Sequence, residues 1–167
     1  MFHDLDASLA AFVQGELALG NVSISFASPD DQFPPFGVTL PALSFFLHDI
    51  REKRDESQPA ATGVECSYLI SAWPSVNVPD PASDEHYLLG EVLKVLLGHR
   101  GIPERYLRGE LAGRQPPVRV IDENQSHDLS SFWQTMARRP KTTLHYAVVV
   151  GVGESSAQAG TSDQPVG

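Results

Sequence analysis

Two apolar segments decide the fold: residues 42–50, ALSFFLHDI, and residues 63–73, GVECSYLISAW. Both alternate in polarity with a period of two, which is typical of β-strands with one buried face. The connection between them, residues 51–61, is charged and contains Pro59, so it predicts a solvated hairpin tip or a longer loop. Because no helix intervenes, we expect the two strands to form an antiparallel pair.

The alternation also assigns side chains to the faces of these strands. In the first strand, one face should carry Leu43, Phe45 and Leu47. The opposite face should carry Phe46 and Ile50. In the second strand the only cysteine of the chain, at position 66, falls on an apolar face with Val64, Tyr68 and Ile70. A buried, inert thiol is therefore expected, and a single cysteine allows no intrachain disulfide.

Helices and further strands are predicted on both sides of this pair. Apolar residues at three- and four-residue steps predict three helices, at residues 3–19, 84–97 and 127–138. Period-two segments predict three short strands, at residues 22–26, 118–122 and 143–152. Ser83 is expected to cap the second helix, because Asp84 and Glu85 would then lie in its first turn.

This order of elements predicts an α+β domain. The sheet should be largely antiparallel or mixed, with about five strands covered by about three helices. Residues 1–152 would form the domain, and residues 153–167, GESSAQAGTSDQPVG, would form a flexible tail rich in Gly and Ser.

The composition limits the partners of the chain. A formal net charge of −9 over 167 residues argues against binding to nucleic-acid phosphates and against docking on an anionic membrane surface. No apolar run reaches the length of a membrane span. Asp4 and Asp6 stand where a secretory signal would carry basic residues, so we expect a protein made and folded in the cytoplasm.

Motifs for catalysis or cofactor binding are not found in the sequence. Gly151 and Gly153 follow the last strand with no helix to receive a phosphate, and no G-x-S-x-G stretch is present. The six histidines are scattered, with no pair at the spacing of shared metal ligands. We therefore predict no catalytic residue, no metal and no cofactor. A small hydrolase with a converged His/Asp pair remains an alternative, which a deep pocket holding His48 or His86 beside an acid would support.

Eight residues are candidates for a protein interface. Phe33 and Phe36 lie in a proline-rich loop, residues 28–41, which is either a contact arm or a connection pinned onto its own domain. The remaining candidates are His48, Asp49, Arg51, Trp73, Asp84 and Glu85.

Four of these candidates are expected to cluster at one sheet edge, because His48, Asp49 and Arg51 end one strand while Trp73 ends its neighbour. In the alternative interpretation, the tryptophan is part of the core and the charges form a hairpin surface.

Several stretches in a fixed order resemble one family. They are FHDLDASL (2–9), LSFFLHDIRE (43–52), SYLISAW (67–73), DEHYLLGEVLKVLL (84–97), LAG (111–113) with PPV (116–118), and LSSFWQ (129–134). Together they are similar to the N-terminal domain of the tail-terminator cap proteins of phage-tail-like extracellular contractile injection systems. The ordered set carries the resemblance, and it spans residues 1–152.

The resemblance implies a non-enzymatic, structural role. A member of this family would form a hexameric ring at the baseplate-distal end of the particle, with itself, the inner tube and the sheath as partners. The ring would stop polymerisation of tube and sheath. The alternative function is an adaptor or assembly chaperone that binds a hydrophobic protein partner through the loop with Phe33 and Phe36.

Overall fold

The computed structural model describes residues 1–54, 56–57, 62–120 and 129–152. The helices and strands are α1 (Phe2–Glu16), β1 (Ser23–Ser25), β2 (Ala42–Arg54), β3 (Thr62–Trp73), α2 (Pro81–Leu97), β4 (Val118–Val120), α3 (Ser130–Thr135) and β5 (Leu144–Val152). Two short 3-10 turns, Glu104–Tyr106 and Gly109–Leu111, lie between α2 and β4. The predicted order of elements is confirmed. The predicted tail, residues 153–167, lies outside the described residues.

The strands form one mixed sheet in the order β1-β2-β3-β5-β4. β1 pairs parallel with β2, and every other neighbouring pair is antiparallel. The fold prediction, an α+β domain with a mixed five-stranded sheet and three helices, is therefore confirmed. The β2–β3 ladder runs from Ala42 opposite Trp73 to Arg54 opposite Thr62. Residues 51–54 thus continue the strand and are not part of the predicted connection, because residues 62–65 of β3 pair with them.

A β-bulge at His48 changes the faces of β2. Leu47 pairs with Tyr68 and Ile50 pairs with Cys66, so one extra residue lies between the two pairs on β2. Residues that pair across strands share a face, and Ile50 therefore lies on the same face as Leu47. The prediction that Ile50 lies opposite is wrong, because a period of two does not continue through a bulge.

Helices α1 and α2 cover one face of the sheet and build the main core. The buried helix residues are Leu5, Leu9, Phe12, Val13, Leu88, Leu89, Val92 and Leu96. They pack against inward side chains of β2, β3 and β5, including Cys66 and Tyr68. Burial raises the pKa of the Cys66 thiol to about 11, so the expected buried cysteine is confirmed and its thiol stays protonated at neutral pH.

Helix α2 begins three residues before the predicted start. Asp80 is its N-cap, and the Asp80 Oδ1 atom accepts a hydrogen bond of 3.1 Å from the Ser83 backbone nitrogen. Pro81 occupies the first helical position, where its fixed φ suits a helix and its missing N–H costs nothing. The prediction that Ser83 caps the helix is wrong, because the helix starts earlier and Asp80 is its N-cap.

The short helix α3 lies on the opposite face of the sheet. Phe132 contacts Phe46 with ring centroids 5.9 Å apart, which places Phe46 on the outer face as predicted. Trp133 is buried. The helix ends at Thr135, before the predicted residue 138, and Ala137 adopts a positive φ of 55°. Within the described ranges, no helix combines the length and apolarity needed to cross a membrane.

Candidate interaction surface

The four candidate residues of β2 and β3 lie at two separate ends of the hairpin. Trp73 is opposite Ala42, whereas Asp49 is opposite Ser67. At about 3.3 Å per residue, Asp49 lies about 23 Å along β2 from Ala42. The prediction that His48, Asp49, Arg51 and Trp73 cluster at one edge is therefore wrong, because antiparallel pairing sends the end of one strand to the start of the other.

We call the first region the tryptophan end. It comprises Phe33, Trp73, Glu85, Arg138 and Lys141. The Trp73 ring is 7% exposed and lies 4.6 Å from the Phe33 ring, centroid to centroid. Its indole nitrogen donates a 3.0 Å hydrogen bond to the Ser71 hydroxyl. Trp73 is therefore part of the core, as the alternative interpretation predicted.

Two cations lie against the same tryptophan ring. The Arg138 guanidinium carbon is 4.5 Å from the ring centroid, and the Lys141 Nζ atom is 4.4 Å from it. Lys141 Nζ also donates a 2.7 Å hydrogen bond to the Glu85 carboxylate, and both side chains are largely buried. Glu85 thus links α2 to the segment before β5, in addition to lying near the start of its helix.

Arg138 also fixes the proline-rich loop. Its Nε atom donates to the Asp30 carbonyl and its Nη2 atom donates to the Phe33 carbonyl, each at 2.7 Å. Phe33 is 5% exposed, whereas Phe36, three residues later, is fully exposed at 108%. The loop is therefore pinned onto its own domain at Phe33, and the contact role of Phe36 stays a prediction.

We call the second region the hairpin arm, residues 48–54 of β2. Within it, Arg51 Nε donates to Asp49 Oδ2 at 2.6 Å and Arg54 Nε donates to Glu52 Oε1 at 2.8 Å. Each pair joins residues two apart on one strand, and both arginines are exposed. Such surface pairs contribute little stability. Lys53 lies 3.8 Å from the Glu65 carboxylate on β3, which also binds Arg119 at 2.6 Å.

The structure brings together two histidines that the sequence search left apart. The His48 and His145 rings have centroids 6.0 Å apart although they belong to β2 and β5. No local spacing signals this approach, because it depends on the order of strands in the sheet. In the part of the chain that the structure describes, no group of three or more His, Cys, Asp or Glu side chains is placed to hold a metal ion.

His86 lines an open groove between α2 and the start of β5. We call it the α2–β5 groove; its volume is about 340 Å³ and its lining residues are His86, Leu89, Gly90, Leu93, Thr142 and Leu144. These residues include no acid, so the His/Asp hydrolase gains no support here. Asp84, in contrast, is exposed and borders a separate hollow of about 200 Å³ near Tyr87.

A match to a known protein family spans nearly the whole chain. Residues 4–165 match the family described as the Pvc16 N-terminal domain. The chain belongs to this family. No curated protein sequence matches this Pvc16 N-terminal domain protein.

Two solved structures share the fold of this Pvc16 N-terminal domain. One is a PVC sheath/tube terminator in the extended state, from an extracellular contractile injection system. Its sequence is 22% identical and its TM-score is 0.66. The match covers 100% of this chain and 61% of the terminator chain. The other is the tube-terminating cap of the anti-feeding prophage. Its sequence is 22% identical and its TM-score is 0.54. The match covers 99% of this chain and 60% of the cap chain. The resemblance to tail-terminator cap proteins is thus confirmed, and the chain spans about three fifths of each matched protein.

Proposed function

We propose that this chain is a structural cap that ends polymerisation of the tube and the sheath at the baseplate-distal end of a contractile injection particle. The observation that carries the proposal is the match of the whole chain to a sheath/tube terminator with a TM-score of 0.66. Membership of the Pvc16 N-terminal domain family supports it independently of the structural likeness.

The cap acts as a homo-hexameric ring in this proposal. A closed ring requires two different surfaces on each copy that fit one another, together with a face that matches the last layer of the shaft. An exposed aromatic residue, Phe36, and a separate apolar groove are surfaces of the kind that such contacts use. The partners are then other copies of the chain, the inner-tube protein and the sheath protein.

The cap has no enzymatic role in this proposal. Burial raises the pKa values of the core residues Cys66, Tyr68 and Tyr146, and it also raises the pKa of the half-buried Asp6 on α1. The Tyr68 hydroxyl donates a 2.7 Å hydrogen bond to the Asp6 carboxylate and so ties α1 to the sheet. A perturbed acid that takes part in catalysis needs a cleft for substrate. Asp6 instead holds two layers of the fold together through its hydrogen bond with Tyr68.

The cap assembles in the cytoplasm without nucleic acid or membrane as a direct partner. The net charge of −9 supports this part of the proposal, since phosphate backbones and anionic lipids would repel such a surface.

The second candidate function is an adaptor or assembly chaperone for a hydrophobic protein. The full exposure of Phe36 favours it, because an exposed aromatic side chain on a fixed loop suits capture of an apolar partner. A chain that stays monomeric and copurifies with one partner outside the tail would support this alternative over the cap.

Deletion of the gene tests the cap directly. Particles from cells without the chain should show a broad distribution of tube and sheath lengths by negative-stain electron microscopy, and the chain supplied in trans should restore one length. Particles of normal, uniform length from the deletion cells would contradict the proposal.

A further inference from the structure

The hollow at the start of α2, which we call the Asp84 hollow, combines apolar walls with one carboxylate. Its volume is about 200 Å³, and most of its apolar lining comes from Leu19, Val22, Pro41, Pro74 and Leu88. Among the described residues that line it, Asp84 is the only charged one. Tyr87, also in the lining, is 60% exposed, and Val76 beside the lining is 73% exposed. Exposed apolar side chains grouped around one charge are typical of a protein interface.

A second hollow lies at the other end of α2 and carries the opposite charge. We call it the Arg100 hollow; its volume is about 440 Å³, and residues 98–103 and 115–117 line it. Arg100 is exposed, and Leu97, the last residue of α2, is 58% exposed. The 17 residues of α2 extend about 24 Å at 1.5 Å per residue. The two ends of this helix therefore present opposite charges, each beside an exposed apolar side chain.

No described residue balances either of these two charges. Asp84 and Arg100 form neither an ion pair nor a side-chain hydrogen bond within the described ranges, whereas their charged neighbours do. Glu85 binds Lys141 at 2.7 Å, and Arg105 binds Glu16. A partner that brings the opposite charge can therefore pair with Asp84 or Arg100 without breaking a contact inside the domain.

The sequence divides the charges in the same way over longer stretches. Residues 55–93 contain acids but no Lys or Arg. Residues 98–119 contain only two glutamates, together with Arg100, Arg105, Arg108, Arg114 and Arg119. Because the whole chain carries a net charge of −9, two copies repel each other in most orientations. They attract when the basic stretch of one copy meets the acidic stretch of the other.

We propose that the Arg100 hollow of one copy docks on the Asp84 hollow of the next copy, with Arg100 paired to Asp84 and Leu97 packed against Tyr87. The proposal rests on the homo-oligomeric ring of the proposed function and names the contact between its subunits. The two surfaces lie at opposite ends of one helix, so the contact is head-to-tail, and such contacts close into a ring when their rotation allows. The charges select the pairing of surfaces, and the apolar side chains contribute burial.

Charge reversal tests this contact in particles that carry the full chain. Deletion cells receive the parental chain, Asp84→Arg or Arg100→Asp, and quantitative immunoblotting measures the chain against the tube protein in isolated particles. Each reversal should lower incorporation at least about tenfold, because it places like charges opposite each other. Asp31→Arg and Arg139→Asp are the matched controls: they change the net charge equally at exposed positions outside both hollows and should leave incorporation at the parental level. The urea midpoint of each variant shows whether the fold is retained.

Two rescues distinguish a contact between copies from a contact with another protein. The double variant Asp84→Arg/Arg100→Asp exchanges both charges, so its copies should be incorporated at nearly the parental level. Co-expression of the two single variants should also restore incorporation, because each variant supplies the charge that the other has lost. Failure of either rescue, or parental incorporation of both single variants, would overturn the proposal.

The contact and the cap fail in different ways. If the parental chain is present in the particles and its deletion changes their length, but the reversals have no effect on incorporation, the head-to-tail contact is wrong and the cap stands. If the parental chain is missing from the particles and their length does not depend on it, the cap itself is wrong.

Discussion

At the tryptophan end, aromatic and charged side chains are largely buried and contact one another, whereas along the hairpin arm the arginine side chains are exposed to solvent. Arg138 contacts the Trp73 ring and two backbone carbonyls from distant parts of the chain. Arg51, in contrast, pairs with a carboxylate two residues away on its own strand and remains 64% exposed.

Residue type alone therefore does not distinguish a structural role from a role in an interface. Tryptophan and arginine are common in interfaces, and both regions contain arginine. At the tryptophan end, however, the partners are internal, so these residues stabilise the domain and present Phe36. Along the hairpin arm, the ion pairs of Arg51 and Arg54 stay exposed to solvent and contribute little to the stability of the domain.

A substitution at the centre of the tryptophan end should change the stability of the domain most. Trp73→Ala should lower the free energy of unfolding by about 3–5 kcal/mol, because it removes a buried ring and leaves Phe33, Arg138 and Lys141 without their common contact. Urea denaturation measures the change. Phe36→Ala is the control for loss of an aromatic ring and should change stability little. A loss below about 1 kcal/mol for Trp73→Ala would mean that this end is not structural.

A smaller effect distinguishes the two arginines. Arg138→Ala should cost about 1.5–3 kcal/mol, since it removes two charge-assisted hydrogen bonds and a cation–π contact, whereas Arg51→Ala should stay within about 0.5 kcal/mol. The same urea experiment measures both. Arg138→Lys keeps the charge and should recover only part of the loss, because lysine lacks the planar fork that reaches both carbonyls. Equal effects of the two alanine substitutions would remove the distinction between the regions.

Much of the fold could be predicted from local patterns. The alternation in residues 42–50 and 63–73 and the helical spacing in residues 84–97 identified the central hairpin and α2, since both depend on nearby residues. The early start of α2 could also have been predicted, because Asp80 followed by Pro81 is a known signal for a helix N-terminus.

Other features depend on contacts that the sequence does not reveal locally. The spacing of apolar residues along the sequence does not mark the bulge at His48. The face of Ile50 therefore could not be assigned without knowing which residues pair across the strands. The hydrogen bond from Arg138 to Asp30 joins residues 108 apart, and nothing near either residue predicts it. For the same reason, the separation of Trp73 from Asp49 appeared only with the antiparallel pairing.

The cap requires the chain to lie at one end of the particle, and its position there can be measured. Cryo-electron microscopy of extended particles, with the chain carrying a small gold-binding tag, would locate it. The cap predicts a ring of label at the baseplate-distal end alone. Label along the shaft, at the baseplate, or absent from intact particles would contradict the claim that this chain terminates the tube and the sheath.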